Sequence, residues 1–149
     1  FRFATVLGSS PRLRLDLLIN DFVYQAIHNK QIILFEGNFR RTFLHCRDAA
    51  EIYPFAIENF DKMNHQKFNV GDENMNCTKR DVALKIKKYV DYYLHEAEIG
   101  QDLDQRDYEV DYSKLKKLGF KAKIDMDAGI KELVKILSVI TITNNFRNI

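Results

Sequence analysis

Two arginines stand where they could bind one anionic ligand together. Arg41 follows a turn at Gly37 and begins an apolar segment that leads to Asp48, and Arg106 follows a polar stretch and precedes Asp111. A guanidinium group presents a planar fork of donors that matches phosphate oxygens, so two of them can clamp a diphosphate from opposite sides. The spacing therefore favours a diphosphate site.

Each arginine also has a simpler interpretation. Arg41 could be a surface residue on a hairpin strand, and Arg106 could form a local ion pair because Asp104 and Asp107 flank it. Neither arginine is specific evidence by itself. Their joint occurrence within the surrounding pattern of apolar residues favours the phosphate interpretation.

Other reactive side chains are sparse. Cys46 and Cys77 lie far apart, and we expect two reduced thiols rather than a disulfide. No metal site is expected, because the histidines lack the spacing of metal ligands. These are His28, His45, His65 and His95.

Composition restricts the class of protein. The chain has 149 residues, of which 46% are hydrophobic, so it should form one globular domain. Its net charge of +2 mixes both signs without a basic run, which argues against nucleic-acid binding. No apolar run is long enough for a membrane helix. The 6 glycines are scattered singly, so no glycine-rich loop is available to hold a dinucleotide.

Strands and helices alternate in the predicted pattern, which indicates an α/β fold with a small α+β lobe. Capping is predicted at Asp48, Thr78 and Asp125, and Gly119 is expected to end a helix. The tail at 139–149 has no clear period. Strands are predicted at 1–7, 31–35, 41–46, 67–70 and 92–97, and helices at 15–29, 48–60, from 78 onwards, at 113–118 and at 125–138.

In order and spacing, these segments resemble the C-terminal part of extended short-chain dehydrogenase/reductases. That family contains NAD(P)-dependent epimerases, dehydratases and dehydrogenases of nucleotide sugars. The resemblance covers about residues 1–137 and departs from the family at Thr5, where asparagine is more common. The matching positions are Gly37, Arg41, Phe43, Leu44, His45, Asp48, Asn69, Gly71, Thr78, Asp104, Arg106, Asp111, Ser113, Lys114, Leu118, Gly119 and Phe120.

The resemblance implies roles for particular residues. Arg41 and Arg106 would bind the two phosphates of a nucleotide sugar, and 33–36 would lie along the nucleoside, with Phe35 near the base. For Phe35 a core role is an equal alternative, and for Asp16 and Asn20 a solvated polar face is an equal alternative. The remaining implied contacts are Thr5, Asp16 and Asn20 for the substrate, and Phe3 and Val6 for NAD or NADP.

The resemblance also implies what is not in this chain. Residues 1–149 would be the C-terminal nucleotide-sugar-binding portion, and the Rossmann half with its cofactor and its Tyr-x-x-x-Lys pair would lie elsewhere. Tyr112 and Lys116 have that spacing but fall in a downstream helix, so we expect no catalytic residue here and no activity from this segment alone. The opening at Phe1 reads as an interior strand without initiator Met or signal peptide, as if entered in mid-domain.

The expected whole protein is a cytoplasmic, homo-oligomeric enzyme of carbohydrate biosynthesis. It would act as an oxidoreductase, isomerase or lyase on a UDP-, GDP-, CDP- or dTDP-linked sugar. The alternative is a nucleotide- or anion-binding regulatory domain without catalysis. A protein-interaction module is disfavoured, because the apolar residues are accounted for by inward faces rather than by an exposed patch.

Overall fold

The computed structural model describes residues 1–101 and 105–140. Asp104 and the tail from 141 to 149 lie outside the described residues. The strands are β1 (Arg2–Phe3), β2 (Thr5–Leu7), β3 (Gln31–Leu34), β4 (Arg40–His45), β5 (Asn69–Val70), β6 (Asn76–Thr78) and β7 (Tyr93–Glu96). The helices are α1 (Leu18–His28), α2 (Cys46–Glu58), α3 (Phe60–Met63), α4 (Lys79–Lys87), α5 (Ser113–Lys117) and α6 (Met126–Leu137).

The first predicted strand is divided at Ala4. Its first part, β1, pairs in parallel with β5, and the N–H of Ala4 donates to the carbonyl of Val70 at 2.9 Å. Its second part, β2, pairs in parallel with β4 instead, with Thr5 opposite Phe43. One continuous apolar run therefore serves two sheets, which its sequence pattern does not reveal.

Strand β4 lies at the centre of its sheet. It pairs in parallel with β2 and antiparallel with β6, in the order β2-β4-β6. A separate parallel pair joins β3 to β7. This arrangement confirms the α/β class, although β6 and the short helix α3 were not predicted.

Two apolar cores lie on opposite faces of β4, because successive side chains of a strand point in opposite directions. Phe43 enters the core under α1, α4 and α6, and Leu44 enters the core under α2 and α5. Both side chains are fully buried. The strand thereby holds the two halves of the fold together.

Local capping signals were mostly predicted correctly. Thr78 and Asp81 form a reciprocal capping box at the start of α4, and the Asp125 carboxylate accepts the N–H of Ala128 at 2.7 Å. Gly119 follows α5 with a φ of 102°, the left-handed conformation expected after a helix.

The predicted cap at Asp48 is wrong. The helix begins earlier, at Cys46, because the Nδ1 atom of His45 accepts the N–H of Arg47 at 3.2 Å. Asp48 instead lies buried in the first turn, where its carboxylate accepts the N–H groups of Lys123 and Ile124 at 3.0 and 2.9 Å. It joins α2 to the segment before α6.

An apolar face remains exposed, contrary to the expectation that apolar residues all point inward. The rings of Phe1, Phe3 and Tyr53 lie 5.9 to 6.2 Å apart. Tyr53 and Ile57 lie one turn apart on α2 and are 54% and 76% exposed. We call Phe1, Phe3, Tyr53, Ile57 and the equally exposed Phe60 the aromatic face.

Among the described residues, no helix is both long and apolar enough to cross a membrane.

The buried Asp48 carboxylate gives a direct test of the fold. Replacing it in Asp48→Ala removes two part-buried hydrogen bonds to a carboxylate, each worth about 1.5 kcal/mol. We expect the free energy of unfolding in urea to fall by about 3 kcal/mol. The control Glu51→Ala, at an exposed position of the same helix, should change it by less than about 0.5 kcal/mol. Equal effects of both changes would contradict this role for Asp48.

Candidate functional site

Arg41 lies near the start of β4 and is only 3% exposed. Its Nη1 atom donates to the carbonyl of Arg40 at 2.9 Å, and its guanidinium carbon lies 5.9 Å from the centre of the Tyr108 ring. These contacts restrict the side chain before any ligand binds. The guanidinium group is therefore pre-organised, as a phosphate-binding arginine needs to be.

The segment that contains Arg106 runs beside the start of β4. The Arg40 N–H donates to Asp107 Oδ1 at 2.7 Å, and the Tyr108 N–H donates to the Arg40 carbonyl at 3.3 Å. Arg40 also forms an ion pair with Glu109. Arg41 and Arg106 are far apart in sequence, yet their neighbours Arg40, Asp107 and Tyr108 meet here, and Arg106 itself is exposed.

The predicted nucleoside segment adjoins the same place. Phe35 and Glu36 follow β3, and Glu36 has a φ of 45°, a conformation that non-glycine residues seldom adopt. The Gln105 Nε2 donates to Glu36 Oε1 at 3.4 Å. Because Gln105 precedes Arg106, this contact joins the segments that the resemblance assigns to the nucleoside and to the phosphates.

Lys79 is a charged residue that sequence reasoning missed. Its side chain is 1% exposed, and its Nζ lies 3.5 Å from Glu36 Oε2 and 5.7 Å from the centre of the Phe39 ring. A buried lysine requires a partner of opposite charge, and Glu36 supplies it. No local sequence signal distinguishes this lysine from the others, because its burial depends on residues 36–39.

We call the group formed by these segments the arginine site. Its members are Phe35, Glu36, Phe39, Arg41, Lys79, Gln105, Arg106 and Tyr108.

Thr5, Val6 and Phe3 lie along the first strands. Thr5 is half-buried and pairs with Phe43, which is two residues from Arg41 on β4. Phe3 and Val6 border an apolar groove on the other side, against α2. The groove is completed by Cys46, Ala49, Ala50 and Tyr53.

Asp16 and Asn20 lie in and after the loop that joins β2 to α1. Asp16 pairs with Arg14 at 2.6 Å. Asn20 is buried, its Oδ1 accepts the Gly8 N–H at 3.3 Å and its Nδ2 donates to the Arg14 carbonyl at 2.8 Å. These bonds give Asn20 a structural role in the loop, and substrate binding by either residue stays a prediction.

The Tyr112 and Lys116 side chains are both engaged elsewhere. The Tyr112 hydroxyl lies 2.5 Å from Thr42 Oγ1, and burial raises the pKa of this tyrosine. Lys116 Nζ lies 3.4 Å from Glu73 Oε2. A catalytic tyrosine needs a lowered pKa and a free hydroxyl, so this pair is unsuited to proton transfer.

Both cysteines are free thiols, as expected, and burial raises the pKa of each, that of Cys77 to about 12. Within the described ranges, no three histidine, cysteine or carboxylate side chains lie close enough to hold a metal ion.

Comparison with known proteins gives one family. Residues 1–71 match the model of the NAD dependent epimerase/dehydratase family. An uncharacterised protein of Schizosaccharomyces pombe is 25% identical over 147 residues, which cover 81% of this chain and 39% of the relative.

Solved structures share the fold over nearly the whole chain. UDP-glucose 4-epimerase of Thermus thermophilus, in complex with NAD, superposes with a TM-score of 0.75 at 17% identity, over 94% of this chain and 46% of the other. UDP-N-acetylglucosamine 4-epimerase of Bacillus cereus gives a TM-score of 0.70 at 25% identity, over 92% of this chain and 47% of the other.

The chain thus spans less than half the length of each of these relatives. The match of residues 1–71 agrees with the Rossmann-type fold that the chain shares with these epimerases. Residues 1–71 of this chain match the NAD dependent epimerase/dehydratase family, and the chain is similar in fold to nucleotide-sugar epimerases of the extended short-chain dehydrogenase/reductase type.

Proposed function

We propose that this chain is the nucleotide-sugar-binding portion of an NAD(P)-dependent epimerase, dehydratase or dehydrogenase. The observation that carries the proposal is the joining of three segments at the arginine site. Residues 105–108 bond both to the start of β4 and to Glu36. Positions that the family resemblance assigns to the two phosphates and to the nucleoside are thereby neighbours in the fold.

Arg41 and Arg106 have complementary properties for holding a diphosphate. Arg41 is buried and held by its neighbours, so little side-chain entropy is lost when it binds. Arg106 is exposed and can close on the ligand from the solvent side. Charge-assisted bonds from both would fix the diphosphate and direct the attached sugar toward Thr5.

The nucleoside would lie along 33–36. Phe35 is half-buried beside Gly100, where an added Cβ would come within 2.7 Å of the Phe35 ring. The ring is therefore fixed on one side and offers a flat surface on which a base can stack. Glu36 and Lys79 hold the adjacent turn in place.

The chain fits only part of a dinucleotide cofactor. The groove at Phe3 and Val6 is apolar and matches the face of a nicotinamide ring. A pyrophosphate cradle requires a glycine-rich loop at a helix N-terminus, and the sequence contains no such loop. In the proposed enzyme NAD(P) supplies hydride transfer, and this chain contributes contact and orientation only.

We further propose that the cofactor-binding half, with the catalytic base, covers the aromatic face. Large exposed aromatic clusters mark surfaces that pack against something else. The N–H groups of Arg2 and Ala4 point toward β5. The N–H group of Phe3, which lies between them, therefore points to the opposite edge of β1. Another strand could pair with β1 at that edge. A stand-alone regulatory domain would have no use for this face.

The proposed function predicts specific losses of affinity. Calorimetric titration with UDP-glucose, GDP-mannose, CDP-glucose and dTDP-glucose should show binding of one of them. Arg41→Ala and Arg106→Ala should each weaken it by about 10- to 100-fold, since each removes charge-assisted bonds worth about 1.5–3 kcal/mol. Arg41→Lys should restore little, because lysine lacks the planar fork.

The control is Lys135→Ala, which removes a positive charge from an exposed position of α6. It should bind like the unmodified chain. The diphosphate clamp is contradicted if none of the four ligands binds. It is also contradicted if Lys135→Ala loses as much affinity as Arg41→Ala and Arg106→Ala.

A second prediction concerns the cofactor. NADH fluorescence should show no saturable change when the 149-residue chain is titrated with NADH up to about 1 mM. A dissociation constant of about 1 mM corresponds to a binding free energy of about −4 kcal/mol, so this range includes weak binding. The nucleotide sugar should still bind under the same conditions. Saturable NADH binding by this chain would overturn the proposed division of labour.

A further inference from the structure

The loop from Gly8 to Arg14 is held by side chains from two distant helices. Glu132 of α6 accepts the N–H of Ser9 at 3.0 Å and its hydroxyl at 2.6 Å. Asn20 of α1 holds the two ends of the loop, at Gly8 and Arg14. The loop follows directly after β2, which carries Thr5 and Val6. Its position therefore depends on individual side-chain bonds.

His45 lies beneath this loop and is completely buried. Its Nδ1 accepts the Arg47 N–H at 3.2 Å, so the neutral ring carries its proton on Nε2, which lies 3.3 Å from Glu132 Oε1. An added Cβ at Gly8 would lie 2.5 Å from Nε2, which shows how closely the loop covers the ring. Glu132 thus lies against both the loop and the buried histidine, although the Nε2 atom of the ring forms no hydrogen bond of acceptable geometry with it.

Burial favours the neutral form of the ring, although the Glu132 and Asp48 carboxylates oppose it. Burial lowers the pKa of His45, the Glu132 carboxylate opposes this and the Arg47 guanidinium reinforces it. Asp48 is directed toward 123–124, and the Cys46 thiol donates to the Ser9 carbonyl at 3.2 Å. Among the described neighbours, Glu132 is therefore the anion that faces Nε2.

Glu132 itself is stabilised as a carboxylate. Burial would raise its pKa, but the hydrogen bonds from Ser9 and the nearby His45 and Arg47 outweigh burial, and the net pKa is lowered. Arg47 forms an ion pair with the second carboxylate oxygen. The carboxylate remains ionised at neutral pH and keeps both bonds to Ser9.

We propose that Glu132 is a positioning residue, which holds the loop from Gly8 to Arg14 against α6 so that the preceding strand can meet a nucleotide sugar. The holding of the loop stands on these contacts alone, and its consequence for the ligand rests on the proposed function. Nothing in the family resemblance assigned a role to this position. Glu132 acts through Ser9 and His45 and has no contact with the reacting atoms in this proposal.

Protonation of His45 would disturb the same network. The only ring nitrogen free to take a proton is Nδ1, which now accepts the Arg47 N–H at the start of α2. An imidazolium would lose that cap and would attract the carboxylate away from Ser9. The loop should therefore loosen as the pH falls through the pKa of His45, which lies below the ordinary 6.5.

Amide hydrogen exchange tests the positioning role. In Glu132→Ala the Ser9 amide should exchange at least about tenfold faster, since it loses a charge-assisted bond. In Glu132→Gln, which keeps a carbonyl acceptor, the change should be smaller. Amides at the centre of α1, such as Val23 and Ala26, should be unaffected, as should all amides in the control Lys135→Ala.

An unchanged Ser9 amide would overturn the proposal. So would an equal acceleration at Ser9, Val23 and Ala26, because that pattern reports general loss of stability. If Glu132→Ala fails to fold, the same comparison of amide exchange at Ser9 with that at Val23 and Ala26 is made in Glu132→Gln.

A second readout follows the ring nitrogens of His45 by ¹⁵N NMR against pH. Unmodified protein should show the neutral Nε2–H form, with a midpoint below 6.5. In Glu132→Gln the midpoint should fall further, because the anion that favours imidazolium is gone. A midpoint that does not move would show that Glu132 and His45 are not coupled, and would overturn this link.

The ligand arm uses whichever nucleotide sugar binds the unmodified chain. Glu132→Ala should weaken binding of this nucleotide sugar several-fold, and Lys135→Ala should not. If Glu132→Ala loosens the loop but leaves the affinity unchanged, the proposed effect of Glu132 on ligand binding is overturned. If the unmodified chain binds none of the four, the proposed function fails, and hydrogen exchange alone then decides whether Glu132 holds the loop.

Discussion

The rest of the structure depends on the pairing of strand β4 with its two neighbours. In parallel register with β2 and antiparallel to β6, β4 places Phe43 in one core and Leu44 in the other. The alternation of side chains along β4 also determines how the residues at its two ends are placed. Arg41 is held at the first end beside 105–108, and His45 is buried at the second end beneath the Gly8 loop. A one-residue slip of register would exchange the cores and displace both polar sites.

The polar sites share a design in which buried charge is held by remote partners. Arg41, Lys79 and Asp48 are all almost inaccessible to water. Lys79 and Asp48 are paired with residues distant in sequence, and Arg41 lies against the distant Tyr108 ring. Burial of a charge is unfavourable without such partners, so these groups restrict the fold to arrangements that bring the partners together. The same restriction makes the arginine site rigid before a ligand arrives, which favours binding.

Local signals made parts of the fold predictable from the sequence. The Thr78 capping box, the Asp125 cap and Gly119 depend on residues within four positions, and all are confirmed. The division of the first strand at Ala4 could not be predicted, because two distant strands impose it. Asp48 was misjudged for the same reason, since its partners lie 75 residues away or more.

The candidate site was predictable to the extent that a family pattern marked its arginines. Arg41 and Arg106 were identified by order and spacing, whereas Lys79 and Glu132 had no signal because their importance arises only from tertiary contacts. The aromatic face was also missed. Its members on α2, Tyr53 and Ile57, have the helical spacing of a core stripe, and the sequence does not show which of two stripes on α2 is covered by this chain.

In the proposed function a nucleoside diphosphate binds across 33–36, the start of β4 and 105–108. A ¹H–¹⁵N NMR titration of the chain with the nucleotide sugar, following backbone amides and the Arg41 Nε–H, tests this binding mode. We expect the largest shifts at these three segments, together with Arg41 Nε–H. Largest shifts at the pocket of about 160 Å³ between Gly71 and Tyr112, on the α5 side, would contradict it.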